Sequence, residues 1–367
     1  MTAAHPVIDG HNDLAWQLRI RGIDPDLDSD LSATGLHTDL PRLRRGGVAA
    51  QFWSVYVPSD RGERESVAMV LEQIDLVRRL AARYPHRLTL ATTASEVERA
   101  RADGRVASLL GAEGGHCIGS SLGVLRMLYS LGVRYLTLTH AANTPWADSA
   151  TDAPAVGGLS PFGHDVVREM NRLGMLVDLS HVAPSTMDAA LDTSTAPAFF
   201  SHSSARALCD HPRNVPDAVL TRVRDTEGVV MVTFVPFFLT QECRQWGIAL
   251  QEFEQGISGP RDSPQWMEQE AGWLRANPCP PCTVADAADH VEHVREMAGI
   301  DAVGLGGDFD GTPALPDGLG DVASYPALLA ELADRGWSDA ELTKLSWHNA
   351  LRVLRATESA AEHPPNR

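Results

Sequence analysis

Short apolar runs rich in β-branched residues alternate along this chain with stretches whose apolar positions recur every three or four residues. The first run is Val7-Ile8-Asp9-Gly10-His11-Asn12-Asp13, and seven more follow at 48–57, 106–111, 133–139, 175–180, 198–201, 229–234 and 302–307. Between them, Val67, Val70, Leu71, Ile74, Val77 and Leu80 share one helical face, and similar patterns recur at 122–131, 166–173, 185–191 and around Val219, Leu220 and Val223. Gly132 and Gly174 stand where two of these helices should stop. Near-continuous apolar runs fit strands buried on both faces, and parallel strands need helical crossovers. Eight such units predict a closed (β/α)8 barrel spanning 1–367 as one domain. An open doubly wound sheet is the rival, but no Gly-rich phosphate loop follows the first strand.

Two segments fall outside the repeat. The stretch 236–283 is too long for a structureless loop and should contain local helix, for instance across 265–274. The stretch 338–358 opens with the capping box Ser338-Asp339-Ala340-Glu341 and reads as a C-terminal helix packed outside the barrel.

Charge narrows the partners. A formal net charge of −17 argues against nucleic acid or an anionic membrane surface as the main partner. No basic and apolar leader opens the chain, no run approaches the ~20 apolar residues of a membrane span, and the tail is polar. A soluble, cytoplasmic protein is expected. The five cysteines are too few and too spread for a disulfide framework, and Cys279-Pro280-Pro281-Cys282 lacks both a helix to open and a second pair.

Polar residues cluster at the ends of the apolar runs. His11 and Asp13 close the first and point the same way, since strand side chains alternate. Glu113 follows the third run, His140 the fourth, His181 the fifth, His202 the sixth and Asp308 the eighth. Each alone has an ordinary explanation as a core, turn or surface residue. Together they mark the C-terminal rim where barrels of this type carry their chemistry. Three His, one Asp and one Glu can hold two divalent ions if Glu113 bridges them, and such a pair can polarise a carbonyl and acidify water. Asp308 suits proton transfer, and an uncoordinated His140 suits a developing oxyanion.

These residues sit in longer motifs: Ile8-Asp9-Gly10-His11-Asn12-Asp13-Leu14, Glu113-Gly114-Gly115-His116, Tyr135-Leu136-Thr137-Leu138-Thr139-His140 with Asn143-Thr144-Pro145-Trp146, Gly158-Leu159-Ser160-Pro161-Phe162-Gly163, Asp178-Leu179-Ser180-His181, Ser201-His202-Ser203-Ser204, Arg213-Asn214-Val215-Pro216-Asp217 and Gly306-Gly307-Asp308-Phe309-Asp310-Gly311. Nearly end to end, the chain resembles the membrane (renal) dipeptidase family, binuclear zinc peptidases of the amidohydrolase superfamily. The resemblance implies two zinc ions, one on His11, Asp13 and Glu113 and one on Glu113, His181 and His202. It implies His140 on the scissile carbonyl, Arg213 on the substrate carboxylate, and Asp308 on the α-amino group and the transferred proton. It further implies dipeptide substrates with free ends, L-Xaa-D-Xaa pairs among them, and a homodimer. The chain departs from the family pattern at Thr233 and Val235, where Asn and Tyr are common, and in the longer 236–283 segment. Cys209 and Cys243 lie near a family disulfide. The same rim would also serve a β-lactam, a cyclic amide or an N-acyl amino acid, or a non-catalytic metal-stabilised barrel.

Overall fold

The computed structural model describes residues 5–361; the terminal stretches read for leader and anchor signals fall partly outside them. Nine parallel strands are present: β1 Val7–Asn12, β2 Val48–Tyr56, β3 Leu88–Leu90, β4 Val106–Glu113, β5 Val133–Thr137, β6 Leu176–Asp178, β7 Phe199–Phe200, β8 Val229–Val232 and β9 Val303–Leu305. Eight of them close a barrel, with β1 paired to both β2 and β9 and β2 paired to β4. These eight match the eight runs expected. The ninth, β3, lies beside the start of β4, with Leu88 opposite Val106, while β5 takes the end of β4 from Leu110 onward. A three-residue Leu-Thr-Leu strand is too short to show alternation, so nothing in its pattern separates it from a loop.

Inside the barrel, Phe52, Tyr135 and Phe199 from β2, β5 and β7 meet with ring centroids 5.3–5.9 Å apart. Glycine is needed where strands crowd the end of β7: a Cβ on Gly306 would lie 2.0 Å from the Ser201 carbonyl oxygen. Among the described residues, no helix is long and apolar enough to cross a membrane.

The insertion carries more helix than expected, and the C-terminal segment packs differently. After β8 the chain forms three helices, Pro236–Leu239, Gln241–Gln255 and Pro264–Ala276. Only the last covers the helix expected at 265–274. The middle one begins at Thr240, whose hydroxyl caps the Cys243 amide, and it buries Cys243, Trp246 and Leu250 along one side. The C-terminal segment does open on the Ser338 capping box, then runs through Asp339–Thr343, a π-turn at Lys344–His348 and Asn349–Ser359. It does not lie outside the barrel as expected. It packs on β1, β8 and β9, and Trp347, Leu351 and Leu354 join the buried cluster of Ile8, Tyr135 and Phe199. The π-turn carries Trp347 inward, where Arg101 covers its ring with the guanidinium 5.0 Å from the centroid.

Replacing Trp347 by Ala should therefore cost roughly 3–5 kcal/mol in unfolding free energy. Denaturant unfolding measures it. A loss below about 1 kcal/mol would place this helix outside the cooperative core.

Candidate metal centre and active site

The barrel brings His11, Asp13, Glu113, His140, His181, His202 and Asp308 to one rim. His11 lies within β1, Glu113 ends β4, and the other four residues after Asp13 follow β5, β6, β7 and β9 within a few positions. Glu113 stands at the centre. Its Oε2 is 3.4 Å from His11 Nε2 and accepts a 3.0 Å hydrogen bond from Ser54. Its Oε1 is 2.9 Å from His181 Nε2, 3.5 Å from His202 Nε2 and 3.8 Å from His140 Nε2. Asp13 Oδ2 lies 3.2 Å from His11 Nε2. One carboxylate thus faces two groups of donors with its two oxygens.

Burial and the neighbouring charged and polar groups together set the charge states. Burial pushes His181 and His202 well below the ordinary imidazole range, and brings His140 down to about 4. Burial works the same way on His11, but Tyr135, Glu113 and Asp13 outweigh it and hold this imidazole above its usual range. Burial opposes the charge on Glu113, yet His11 and the hydrogen bonds from the histidines keep it well below the usual carboxylate range. Burial lifts Asp308 to about 8, with Asp13 and Glu113 adding to it against His11.

Outer residues fix the ring orientations. Tyr135 Oη is 2.8 Å from His11 Nδ1, which turns Nε2 inward. Asp178 Oδ2 accepts 2.6 Å bonds from both Thr137 and Ser201, and its Oδ1 accepts from the Ser180 and Ser201 amides. With its proton committed to that carboxylate, Ser201 Oγ accepts from His202 Nδ1–H at 2.7 Å. The lone pair of His202 is then on Nε2, which faces His181 Nε2 at 2.9 Å. Gly311 makes room for two acids: a Cβ there would lie 2.3 Å from both Asp13 Oδ2 and Asp308 Oδ1.

The residues fit a divalent metal centre. His11 Nε2 is buried without a hydrogen-bond partner. Two converging imidazole nitrogens and a shared carboxylate are a borderline-soft donor set suited to zinc-like ions. Two groups converge this way, His11, Glu113 and His202 and Glu113, His140 and His181; a third joins one imidazole to two carboxylates, His11, Asp13 and Asp308.

Arg213 lies in the loop after β7 and is buried to 3% exposure. Its guanidinium makes long contacts of 3.5 Å to Ser203 Oγ and 3.4 Å to the His202 carbonyl, and sits 5.2 Å from the Phe238 ring centroid. Its Nε has no partner, and burial lowers its pKa to about 10. Among the described residues, no carboxylate forms an ion pair with it. Thr233 and Val235, the departures after β8, are both buried.

Sequence reasoning did not single out Ser54, Tyr56, Tyr135, Ser201 or Phe238 for roles here. Ser54 and Tyr56 are two apart at the end of β2, so alternation could have placed both on the rim face. Tyr56 packs on His140 with ring centroids 4.7 Å apart. Tyr135 stands in a family motif with no role of its own given to it, and Phe238 reads as ordinary core.

Residues 1–367 match the family model of membrane dipeptidases, peptidase family M19. An uncharacterized dipeptidase of Schizosaccharomyces pombe is 42% identical over 96% of this chain and 81% of its own length. Dipeptidase 3 of Mus musculus is 41% identical over 97% of this chain, which spans 65% of that relative. A metallopeptidase of Rhodobacter sphaeroides, solved with a phosphinate mimic of the dipeptide L-Ala-D-Ala, superposes with a TM-score of 0.77 at 26% identity over 96% of this chain and 99% of its own.

Ser201→Ala removes the acceptor that orients His202. It should weaken divalent-metal binding roughly 10–100-fold while leaving the circular dichroism spectrum intact. Metal titration of the stripped protein reads this, and unchanged affinity would mean that His202 is oriented without Ser201.

Proposed function

The chain belongs to the membrane dipeptidase family, and from that premise we propose that it is a zinc-dependent dipeptidase acting on dipeptides with free amino and carboxyl ends, L-Xaa-D-Xaa pairs included. The observation that carries this reading is Arg213: a buried guanidinium with no carboxylate of its own, held beside the rim. A dry cation without a partner is costly, and a planar fork is suited to accepting a carboxylate bidentately. The dipeptide mimic bound by the Rhodobacter sphaeroides relative supports an L,D substrate.

His11, Asp13 and Glu113 would hold one zinc ion, and Glu113, His181 and His202 a second. Bound there, the ions would supply Lewis acidity toward the scissile carbonyl and lower the pKa of water.

The chain's own residues do the rest. Arg213 binds the terminal carboxylate of the substrate. Asp308 receives its α-amino group, and the two together measure the length of one peptide bond with its ends. Asp308 also takes a proton at its carboxylate and passes it to the leaving nitrogen. His140, kept neutral by burial, has a ring nitrogen 3.8 Å from Glu113 and donates from that ring to the carbonyl oxygen as it gains charge. Tyr56 packs on this ring and limits its tilt.

Two measurements test this. Elemental analysis after zinc reconstitution should give two ions per chain; one or none would remove Glu113 from its bridging role. Against a dipeptide series, Arg213→Met should lower kcat/KM for free dipeptides by roughly 100-fold or more. It should have little further effect on C-terminally amidated ones. Equal cleavage of free and blocked substrates by the unaltered protein would overturn the length-measuring role.

A further inference from the structure

Away from the rim, three of the five cysteines meet. Cys243 lies in the first turn of helix Gln241–Gln255. Cys279 and Cys282 flank Pro280-Pro281 in the connection that follows helix Pro264–Ala276. Cys243 Sγ is 3.7 Å from Cys279 Sγ and donates to the Pro280 carbonyl oxygen at 3.4 Å, with Cys282 close by. Cys243 and Cys282 are buried, while Cys279 is partly exposed. All five cysteines are free thiols.

The pairing of Cys209 with Cys243 that the family resemblance suggests is not favoured. Cys209 turns its sulfur to the carbonyls of Phe237 and Thr240, at 3.7 and 3.5 Å. Within Cys279-Pro280-Pro281-Cys282, the Cys279 thiol donates to the Cys243 sulfur at 3.7 Å. A thiolate metal site is not favoured either: the convergent ligand groups among the described residues all surround the rim and contain no cysteine.

We propose that Cys243 and Cys279 form a reversible disulfide that fastens the helical insertion to its own return strand of chain. Ordinary buried cysteines are inert packing. Three features set this pair apart: sulfurs already in contact, a proline-stiffened loop holding one of them, and a path to solvent through Cys279.

The chemistry is exchange with a low-molecular-weight disulfide, RSSR. The Cys279 sulfur attacks RSSR, its S–H proton goes to the departing RS⁻, and a Cys279–SR mixed disulfide forms with release of RSH. The Cys243 sulfur then attacks the Cys279 sulfur, breaking the S–SR bond; the second RS⁻ leaves and takes the proton of Cys243. Two protein thiols are oxidised and RSSR is reduced to two RSH. The sulfurs must close from 3.7 Å to about 2.0 Å, a side-chain movement. The bond spans 36 positions and encloses helices Gln241–Gln255 and Pro264–Ala276. It lies next to helix Pro236–Leu239, which carries Phe238 under Arg213.

The test uses the full-length, metal-loaded protein in buffers of varied reduced and oxidised glutathione, quenched by alkylation and mapped by peptide mass spectrometry. The expected result is loss of two of the five thiols to a Cys243–Cys279 cross-linked peptide. The thermal midpoint should rise by roughly 3–6 °C, and dithiothreitol should reverse both changes. Cys279→Ser, at the least buried of the three, should abolish the cross-link and the shift; Cys243→Ser gives the same readout if it folds. Five alkylated thiols throughout, glutathione left on Cys279 without a cross-link, or any other pairing would overturn the proposal.

Discussion

Everything at the rim depends on a crowd of carboxylates kept out of water. Asp9, Asp13, Glu113, Asp178, Asp308 and Asp310 are all buried at the C-terminal end of the barrel, with Arg213 the buried guanidinium beside them. A low-dielectric enclosure penalises each of these charges and strengthens their mutual repulsion. Two solutions are visible. Asp178 is surrounded by four donors from Thr137, Ser180 and Ser201, and Asp9 accepts from the His11 and Gly307 amides. Asp13, Glu113 and Asp308 instead face imidazoles and one another. That is the electrostatics of a group of ligands waiting on positive charge, which divalent ions and a substrate ammonium would supply together.

The backbone is bent to achieve it. His181, Asp308 and Asp310 have φ of 68°, 59° and 66°, the left-handed region that side chains other than glycine seldom occupy. Such strain persists only where the surroundings over-determine it. Asp310 shows how: its amide donates to His37 Nδ1 at 2.9 Å, and its Oδ1 accepts from the His37 amide at 2.7 Å. Locking Asp310 in this way holds the turn that presents Asp308, and Gly311 leaves the space both acids require.

The seven rim residues were readable in the chain because strand ends in a parallel barrel all project to one face, so polar residues after apolar runs converge by topology alone. The supports were not. Tyr135 and Ser201 sit inside apolar runs, where a hydroxyl aimed at a histidine and one satisfied by backbone look alike. Arg213 lies in a loop with no periodicity, and only the family motif around it drew notice. The C-terminal helix was misjudged because an amphipathic pattern tells which face is apolar but not what it meets; the π-turn that swings Trp347 into the barrel floor leaves no trace in that pattern.

The long insertion is tied to the loop that carries Arg213. Phe238 lies under the Arg213 guanidinium, and its carbonyl accepts a 2.7 Å bond from Asn214, the residue after Arg213. The carbonyl of Leu239 accepts from His290 Nε2 at 2.9 Å, while His290 Nδ1 accepts from the Ala205 amide at 3.0 Å. These two contacts require the Nε2–H tautomer, and burial, which brings this histidine down to about 4, keeps it neutral. One imidazole therefore ties the start of the insertion to the loop that carries Arg213. The site that would bind the substrate carboxylate is built as much from the insertion as from the barrel. Changes in the insertion's helices should be felt as changes in how tightly that arginine is positioned, long before they disturb the histidines at the rim.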